Sequence, residues 1–266
     1  MRKIFAMMRA SWQAASSYKL NMAWSLVGLV VSVIPLYYVT RAFQPFMATR
    51  IQGEGGQFFA FVLVGQIAFW SLSSALTVLP GTISASIGSG TLELLLSTPT
   101  RLPTLFGGMV GYTLTWTAVR CLLLLITGWV LGATVAWDQL AIAVAILALI
   151  VLTYLCIGVI VASLVLAFRF TGPVVQAVLV SSALLGGVYY PTRVIPSWIR
   201  EISDFIPLTY GLRALRGVLL EEAPLSAVAG DIGMLALFCV TLLAASSLAI
   251  MLSLDYSKRA GTLSQY

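Results

Sequence analysis

Residues 140–168 read LAIAVAILALIVLTYLCIGVIVASLVLAF, a run of 29 residues without a charged side chain. A helix needs about 20 apolar residues to cross roughly 30 Å of hydrocarbon, because each residue adds about 1.5 Å. The bilayer interior offers the backbone no hydrogen-bond partner, so a segment that crosses it must satisfy its own peptide groups. The sequence therefore predicts a membrane-spanning helix here.

Five further apolar stretches meet the same test on either side of this one. The six predicted spans cover approximately residues 22–40, 58–79, 104–132, 140–168, 173–190 and 232–254. Only the third contains a charged residue, Arg120. The pattern predicts an all-α integral membrane protein in which residues 1–266 form a single transmembrane domain.

The composition agrees with a chain that is surrounded by lipid. Hydrophobic residues make up 60% of the sequence and charged residues 9%, whereas a soluble domain carries roughly 25% charged residues. The formal charge of +6 comes from basic residues spread along the chain, and this distribution argues against nucleic-acid binding. We therefore expect the lipid bilayer, and no nucleic acid, among the partners.

The distribution of basic residues predicts the topology. Six spans place both termini on one side, and the bias of Lys and Arg in short loops decides which side that is. With both termini inside, the inner segments hold eight basic residues: Arg2, Lys3, Arg9, Lys19, Arg101, Arg169, Lys258 and Arg259. The opposite loops hold six: Arg41, Arg50, Arg193, Arg200, Arg213 and Arg216. Seven of the nine acids also lie in those opposite loops. We therefore expect a multi-pass protein of the plasma membrane with cytoplasmic termini.

Residues 1–19 carry an amphipathic pattern before the first span. Apolar side chains recur at helical spacing at Ile4, Phe5, Met8, Trp12 and Ala15. This periodicity favours a helix that lies on the cytoplasmic membrane surface. The alternative is a solvated leader without stable structure.

A short leucine-rich segment, GSGTLELLLSTP at residues 88–99, follows the second span. Glycines open it and Pro99 closes it, while Glu93 lies in the first turn, where a carboxylate interacts favourably with the helix dipole. The helix is too short to cross a membrane, so its leucines must be buried elsewhere. The headgroup boundary and a groove on a partner protein both remain open, and we favour docking onto a partner.

Prolines at positions 191, 196 and 207 divide residues 191–222 into short helices. In the last of these, a stripe is formed by Leu208, Leu212, Leu215 and Leu219. Arg213 and Arg216 lie off the stripe, which predicts an amphipathic helix resting at the outer membrane face. The candidate residues of these outer-face helices are Pro196, Trp198, Pro207, Tyr210, Arg213 and Arg216.

The sequence lacks the residues of several common chemistries. It contains no histidine, which removes the usual general base, the HExxH zinc site and Ser-His catalysis. It has no GxxxxGK[ST] loop for nucleotide phosphates, and its three cysteines show no metal-ligand spacing. No predicted span carries Asp or Glu, which disfavours a gradient-driven carrier. We therefore expect no catalytic residue, metal or cofactor on this chain.

Arg120 lies about 16 residues into the third span, or roughly 24 Å at the helical rise, so it must face protein or water. Possible partners are backbone carbonyls, Gln66, Tyr154, Asp138, Asp231 or an anionic ligand. Structural pairing and substrate contact are both open, and our hypothesis is that Arg120 borders a translocation path. Further candidates for this path are Gln66, Tyr154, Tyr189 and Tyr190, although aromatic residues also serve as packing or interfacial anchors.

The sequence resembles the permease subunits of type-2 ABC exporters over nearly its whole length. The likeness rests on the six spans, on the segment from Gly90 to Pro99, and on two groups before the last span. These groups are Tyr190-Pro191 with Ile195-Pro196-Ser197-Trp198, and Ile206-Pro207-Leu208-Thr209-Tyr210.

The resemblance implies a role for each of the short segments. Residues 1–19 would be the elbow helix, and residues 191–222 the outer-face helices. The coupling helix of residues 88–99 would dock a cytoplasmic ABC ATPase through Gly90, Thr91, Leu92, Glu93, Leu94, Leu95 and Leu96.

The resemblance also implies the partners. The permease would pair with a second copy or a similar permease, with one ATPase under each, so that ATP and Mg²⁺ bind to the two ATPase copies. The substrate would be amphipathic, lipid-like, a glycan or a drug. Rival readings are a secondary carrier or channel, and a non-transporting membrane scaffold.

Overall fold

A computed structural model of the chain describes residues 19–47, 51, 56–90, 102–168, 172–192 and 196–259. Within these ranges the chain is helical and contains no strand, which confirms the all-α class. Its α-helices are α1 (Lys19–Met47), α2 (Phe58–Gly88), α3 (Leu102–Val130), α4 (Leu140–Phe168), α5 (Gly172–Leu185), α6 (Ser197–Ser203), α7 (Pro207–Leu220) and α8 (Leu225–Arg259). A single 3₁₀ turn, Trp137–Gln139, precedes α4.

Five of the described helices, α1, α2, α3, α4 and α8, are long and apolar enough to cross a membrane. The bounds of α4 agree with the predicted span, whereas α2 and α8 run well beyond theirs. α8 begins at Leu225 rather than near residue 232. Apolar length predicts where a helix meets hydrocarbon, but the hydrogen-bonded backbone continues into the polar residues beyond it.

The predicted continuous span at 173–190 is wrong. α5 has 14 residues, or about 21 Å at the helical rise, which is shorter than the roughly 30 Å of hydrocarbon. The helix ends at Leu185, and Gly187 adopts a φ of +80°, which redirects the chain into a turn. Apolar composition continues to residue 190, but the helix does not.

α5 and α7 together carry the chain from one end of α4 to the other. Near the end of α4, Val174 lines a small cavity with Phe168. At the middle of α4, the hydroxyls of Tyr154 and Ser182 are 2.8 Å apart. At the start of α4, the Ala136 backbone N–H donates to the Leu219 carbonyl at 2.9 Å. Two helices with a break between them, here called the α5–α7 passage, therefore replace the predicted fifth span.

The helix after Pro207 is not exposed on one side, as a helix resting on a membrane surface would be. α7 packs against α2, α4 and α8, and most of its residues are buried. The leucine stripe lies in the main hydrophobic core, as its spacing suggested. The opposite side of the helix is also largely covered, and Arg216 is only 3% exposed.

α6 precedes α7 and is largely exposed. Its division from α7 at Pro207 follows the predicted proline pattern, with Pro207 in the first turn of α7. Trp198 is 66% exposed and Phe205, just after the helix, is 78% exposed. These aromatic side chains suit a membrane–water interface.

α2 is the most deeply buried of the long helices and organises the bundle. It packs along α3 and α4, while α4 packs along α8, and α1 lies against α2 and α3. A Cβ added at Gly158 of α4 would lie 2.9 Å from the Leu76 carbonyl oxygen of α2. The absence of a side chain at Gly158 thus lets the backbones of α2 and α4 approach closely.

Two predicted helices fall mostly outside the described residues. Of the predicted elbow helix at 1–19, the structure describes only Lys19, the first residue of α1. Of the predicted coupling helix at 88–99, it describes only residues 88–90. Gly88 ends α2, and Gly90 adopts a φ of +67°.

Candidate functional site

The side chain of Arg216 is held inside the bundle by backbone carbonyls and an aromatic ring. Its Nη2 group donates to the Phe61 carbonyl at 3.3 Å and to the Val188 carbonyl at 3.1 Å. The guanidinium carbon lies 3.4 Å from the centre of the Phe61 ring. A guanidinium is more weakly hydrated than an ammonium and stacks well on aromatic faces, which explains why this position suits arginine.

Gly65 provides the space that this arrangement needs. A Cβ at Gly65 would lie 2.2 Å from the Val188 carbonyl oxygen and 3.0 Å from Arg216 Nη2. The turn after α5 can therefore approach α2 closely enough for Val188 to accept a hydrogen bond from α7.

Arg213 lies at the more exposed edge of α7, where it links this helix to α8. Its Nη1 group is 3.2 Å from Asp231 Oδ1. Arg213 and Arg216 are three residues apart, so they project from neighbouring positions on the helix. One of the two arginines predicted for a membrane surface is thus buried, while the other forms an interhelical ion pair.

Tyr210 completes this edge of α7. Its hydroxyl donates to the Asp204 carbonyl at 3.0 Å, and the guanidinium of Arg213 lies 5.7 Å from the ring centre. Tyr210 thus contacts both the residues before α7 and the guanidinium of Arg213.

α7 separates two cavities of opposite character. An apolar cavity of about 160 Å³ lies between α2, α3, α4 and α7, with Leu215 and Leu219 on its wall. On the other side, a polar cavity of about 520 Å³ includes Arg213 and Arg216 in its lining. The remaining polar lining comes from Thr192, Arg200, Glu221 and Asp231.

Arg120 lies away from these cavities, between α3 and α1. It is half-buried, its Nη2 group is 3.4 Å from Ser25 Oγ, and its guanidinium carbon lies 5.5 Å from the centre of the Trp116 ring. Its buried Nε has no hydrogen-bond partner among the described residues. The contact with Ser25 is long for a hydrogen bond, so the protein solvates this cation only weakly.

Two of the side chains suggested as partners of Arg120, Tyr154 and Asp231, have other contacts. Tyr154 is 1% exposed and pairs with Ser182, and Asp231 pairs with Arg213. The hydroxyl of Tyr190 donates to the Leu184 carbonyl. Gln66 is half-buried in α2 and Tyr189 is 40% exposed. The structure thus brings Arg213 and Arg216 into one site and places Arg120 in another.

The sequence prediction missed several residues that build these sites. Ser25 and Ser182 gave no signal, because a serine in a span is usually satisfied by its own helix backbone. Arg200 was visible only as a loop charge, and Asp231 was suggested as a partner of Arg120 and not of Arg213. The i, i+3 spacing of Arg213 and Arg216 was the available clue that part of α7 faces a polar space.

The described helices define a polytopic membrane protein in which one arginine, Arg216, is buried and another, Arg120, is half-buried. Within the described ranges, no group of three or more His, Cys, Asp or Glu residues could hold a metal ion. The profile of the ABC-2 type transporter family matches residues 2–220, well over half of the chain. The protein belongs to this family, and the resemblance drawn from its motifs is confirmed.

Membership makes the chain a permease, the membrane component of a transporter, and not itself a catalytic subunit. Permeases of this family typically work with an ATPase partner. A search of the curated proteins found no significant match.

Proposed function

We propose that the protein is the membrane-spanning permease subunit of an ATP-driven exporter. It would move an amphipathic, lipid-like, glycan or drug substrate with energy from ATP hydrolysed on a separate subunit. The observation that carries the proposal is the family match over residues 2–220. Since the sequence has no histidine and no phosphate-binding loop, ATP and Mg²⁺ would bind to the partner, and this chain would need no cofactor.

α2 supports this proposal as a mechanical link. Its 31 residues extend about 46 Å from Phe58 to Gly88. One end contacts Arg216 and Val188, and the other leads directly into the proposed docking residues 90–96. A push on the docking helix would therefore move the α5–α7 passage, provided that the ATPase contacts differ between two conformations of the permease.

The exposed surface of α1 leaves space for a second permease. α1 is the least buried of the five long helices and exposes Trp24, Val31 and Tyr38. This apolar surface suits lipid or a second permease. The complete transporter would contain two permease chains, identical or similar, and two cytoplasmic ATPases, with all permease termini in the cytoplasm.

Glu93 provides the direct test of ATPase docking. We expect Glu93→Lys to release or uncouple the ATPase, because the charge reversal falls within the leucine-rich segment that would meet the partner. The measurements are co-purification of the ATPase from native membranes and substrate-stimulated ATP hydrolysis. Insertion of the permease should remain normal.

Glu201→Lys is the matched control for this experiment, since Glu201 is an exposed acid on α6. It should leave ATPase association unchanged. Unaltered association and stimulation in Glu93→Lys would refute the docking role. Repeated purification of the wild-type chain without any ATPase would count against the whole proposal.

Arg120 would border the translocation path between α1 and α3. Its long contact with Ser25 and its buried Nε leave the cation with few protein partners among the described residues. We expect Arg120→Leu to lower substrate-stimulated ATP hydrolysis at least tenfold at normal expression, through loss of a charge-assisted contact. Arg41→Leu, at an exposed arginine of α1, is the control.

An Arg120→Leu variant with full stimulation and full expression would remove the reason for placing Arg120 at the path. The rival functions have their own readouts. Transport by the purified chain in liposomes without ATP would indicate a carrier or channel. An associated ATPase that no substrate stimulates would indicate a scaffold.

A further inference from the structure

Arg120 lies at the centre of the part of α3 that is long and apolar enough to cross a membrane. It is the midpoint of the stretch Val110–Val130, about 15 Å from either end at the helical rise. At this depth the guanidinium cannot easily reach the headgroup region along its own helix. Since a resident lipid keeps its charged headgroup at the bilayer surface, an anion that meets Arg120 has to enter the membrane interior.

The described part of the chain satisfies the charge of Arg120 only in part. It supplies the contact with Ser25 Oγ at 3.4 Å and the Trp116 ring at 5.5 Å, and it leaves the buried Nε without a partner. Arg216, in the same bundle, donates to two backbone carbonyls. Charged side chains inside a membrane usually pair with other groups or mark the path of a substrate. The surroundings of Arg120 are therefore typical of a site for an anion.

The half-buried side chain of Arg120 projects between a buried side and an exposed side of α3. At 100° per residue, the buried side next to it contains Thr117 and Leu124. The exposed side next to it is apolar and contains Val119, Ile126 and Val130. On α1, Trp24 precedes Ser25 and is 66% exposed. A molecule whose charged group contacts Arg120 would thus meet apolar surface with the rest of its body.

We infer that Arg120 binds the acidic group, a carboxylate or a phosphate, of an amphiphile whose apolar part lies along α1 and α3. A guanidinium forms charge-assisted hydrogen bonds with either group, and this attraction is screened less in an apolar interior than in water. That the amphiphile is the transported substrate rests on the proposed function. Among the substrate classes proposed above, the inference selects molecules that combine an acid with an apolar body.

The binding test uses the purified full-length permease in a neutral detergent, without an ATPase, at a mildly alkaline pH that ionises the acids. Three probes share one brominated chain and differ in the head group: ω-bromoundecanoic acid, ω-bromoundecyl phosphate and ω-bromoundecanol. Bromine quenches the fluorescence of nearby tryptophan, and Trp116 lies beside Arg120. We expect at least one acidic probe to reach half-maximal quenching at about one tenth of the mole fraction that the alcohol needs, in line with one charged hydrogen bond.

Arg120→Gln should abolish the preference for the acidic probes, whereas Arg120→Lys, which keeps the charge, should retain part of it. Arg41→Gln is the matched control, because it removes the same net charge about 24 Å along α1 from Ser25. This variant should keep the full preference. A preference for only one of the two acidic probes would identify the acid as a carboxylate or as a phosphate.

Two results would overturn the inference. One is equal quenching by the acids and the alcohol in the wild type, and the other is an equal preference in the Arg120→Gln and Arg41→Gln variants. Failure of the proposed function appears in a separate measurement, the absence of an ATPase from the purified transporter, and it does not alter the binding of the probes to the permease alone.

Discussion

The surroundings of Arg216 depend on Gly65. Val188 provides one of the two carbonyls that accept hydrogen bonds from Arg216, and it can reach the arginine because Gly65 lacks a side chain. A buried charge is costly unless it is well hydrogen-bonded. The glycine therefore contributes to stability through a contact that it does not itself make.

We predict that Gly65→Ala lowers the thermal stability of the protein in detergent. The new methyl group would lie 2.2 Å from the Val188 carbonyl oxygen, so the α5–α7 turn must move. Overpacking of this kind costs about 1–3 kcal/mol, which corresponds to several degrees in Tm for a domain of this size. Fluorescence-detected size-exclusion chromatography after heating measures the change.

Gly81→Ala is the matched control within α2. Apart from the adjacent residues and backbone of α2 itself, no atom of the described residues lies within 4 Å of the added Cβ, and alanine favours a helix by about 1 kcal/mol over glycine. This variant should keep or raise the Tm. Equal stability of the two variants would show that the close approach at Gly65 is not needed.

At the scale of helices, α5 and α7 together cover the distance that a single membrane-spanning helix normally covers. The two meet near the middle of α4, where Gly186 packs against Leu208 and the Ser203 hydroxyl donates to the Leu185 carbonyl at 2.6 Å. Tyr154 ties this junction to α4 through Ser182. Breaks of this kind are tolerated in membrane proteins where the freed backbone groups are buried in protein.

We predict that Tyr154→Phe and Ser182→Ala each destabilise the bundle by about 0.5–1.5 kcal/mol, the net value of one hydrogen bond. The double variant should be little worse than the more harmful single variant, because both changes remove the same contact. The apparent Tm values of the wild type, the two single variants and the double variant provide the double-mutant cycle. Tyr38→Phe, at an exposed tyrosine of α1, should have no effect, and fully additive losses would contradict a direct bond.

At the scale of the whole molecule, the interrupted passage decides the topology. If α5 and α7 together cross the bilayer, the turn before α8 lies on the opposite side from the end of α4, and α8 returns the chain to the cytoplasm. If they do not cross, the turn and the C-terminus exchange sides. The contact between Ala136 and Leu219, at the far end of α4, favours the complete crossing.

Reporter fusions test this topology. We expect a green fluorescent protein after residue 266 to fluoresce, because it folds in the cytoplasm. Alkaline phosphatase inserted at the exposed Glu222 should be active, because it requires the outer compartment. A dark C-terminal fusion together with an inactive insertion at Glu222 would mean that the α5–α7 passage does not cross.

The predictions that succeeded relied on local physical constraints. The span at 140–168 agrees with α4 because long apolar segments in lipid must satisfy their own backbone groups by forming a helix. The break at Pro207 was visible because proline lacks a backbone donor and suits the first turn of a helix. The family was recognised from the order of such local segments and is confirmed by the match over residues 2–220.

The apolar lengths and prolines of this sequence by themselves determined an all-helical membrane bundle and the positions of most of its long helices. Only the tertiary structure decided that α5 stops at Leu185, that α7 lies inside, and that Arg216 binds carbonyls of α2 and of the turn after α5. Amphipathic spacing shows which side of a helix is polar, but not whether that side meets water or buried acceptors. Whether it meets buried acceptors depends on distant residues such as Gly65, whose missing side chain matters only once the helices have packed.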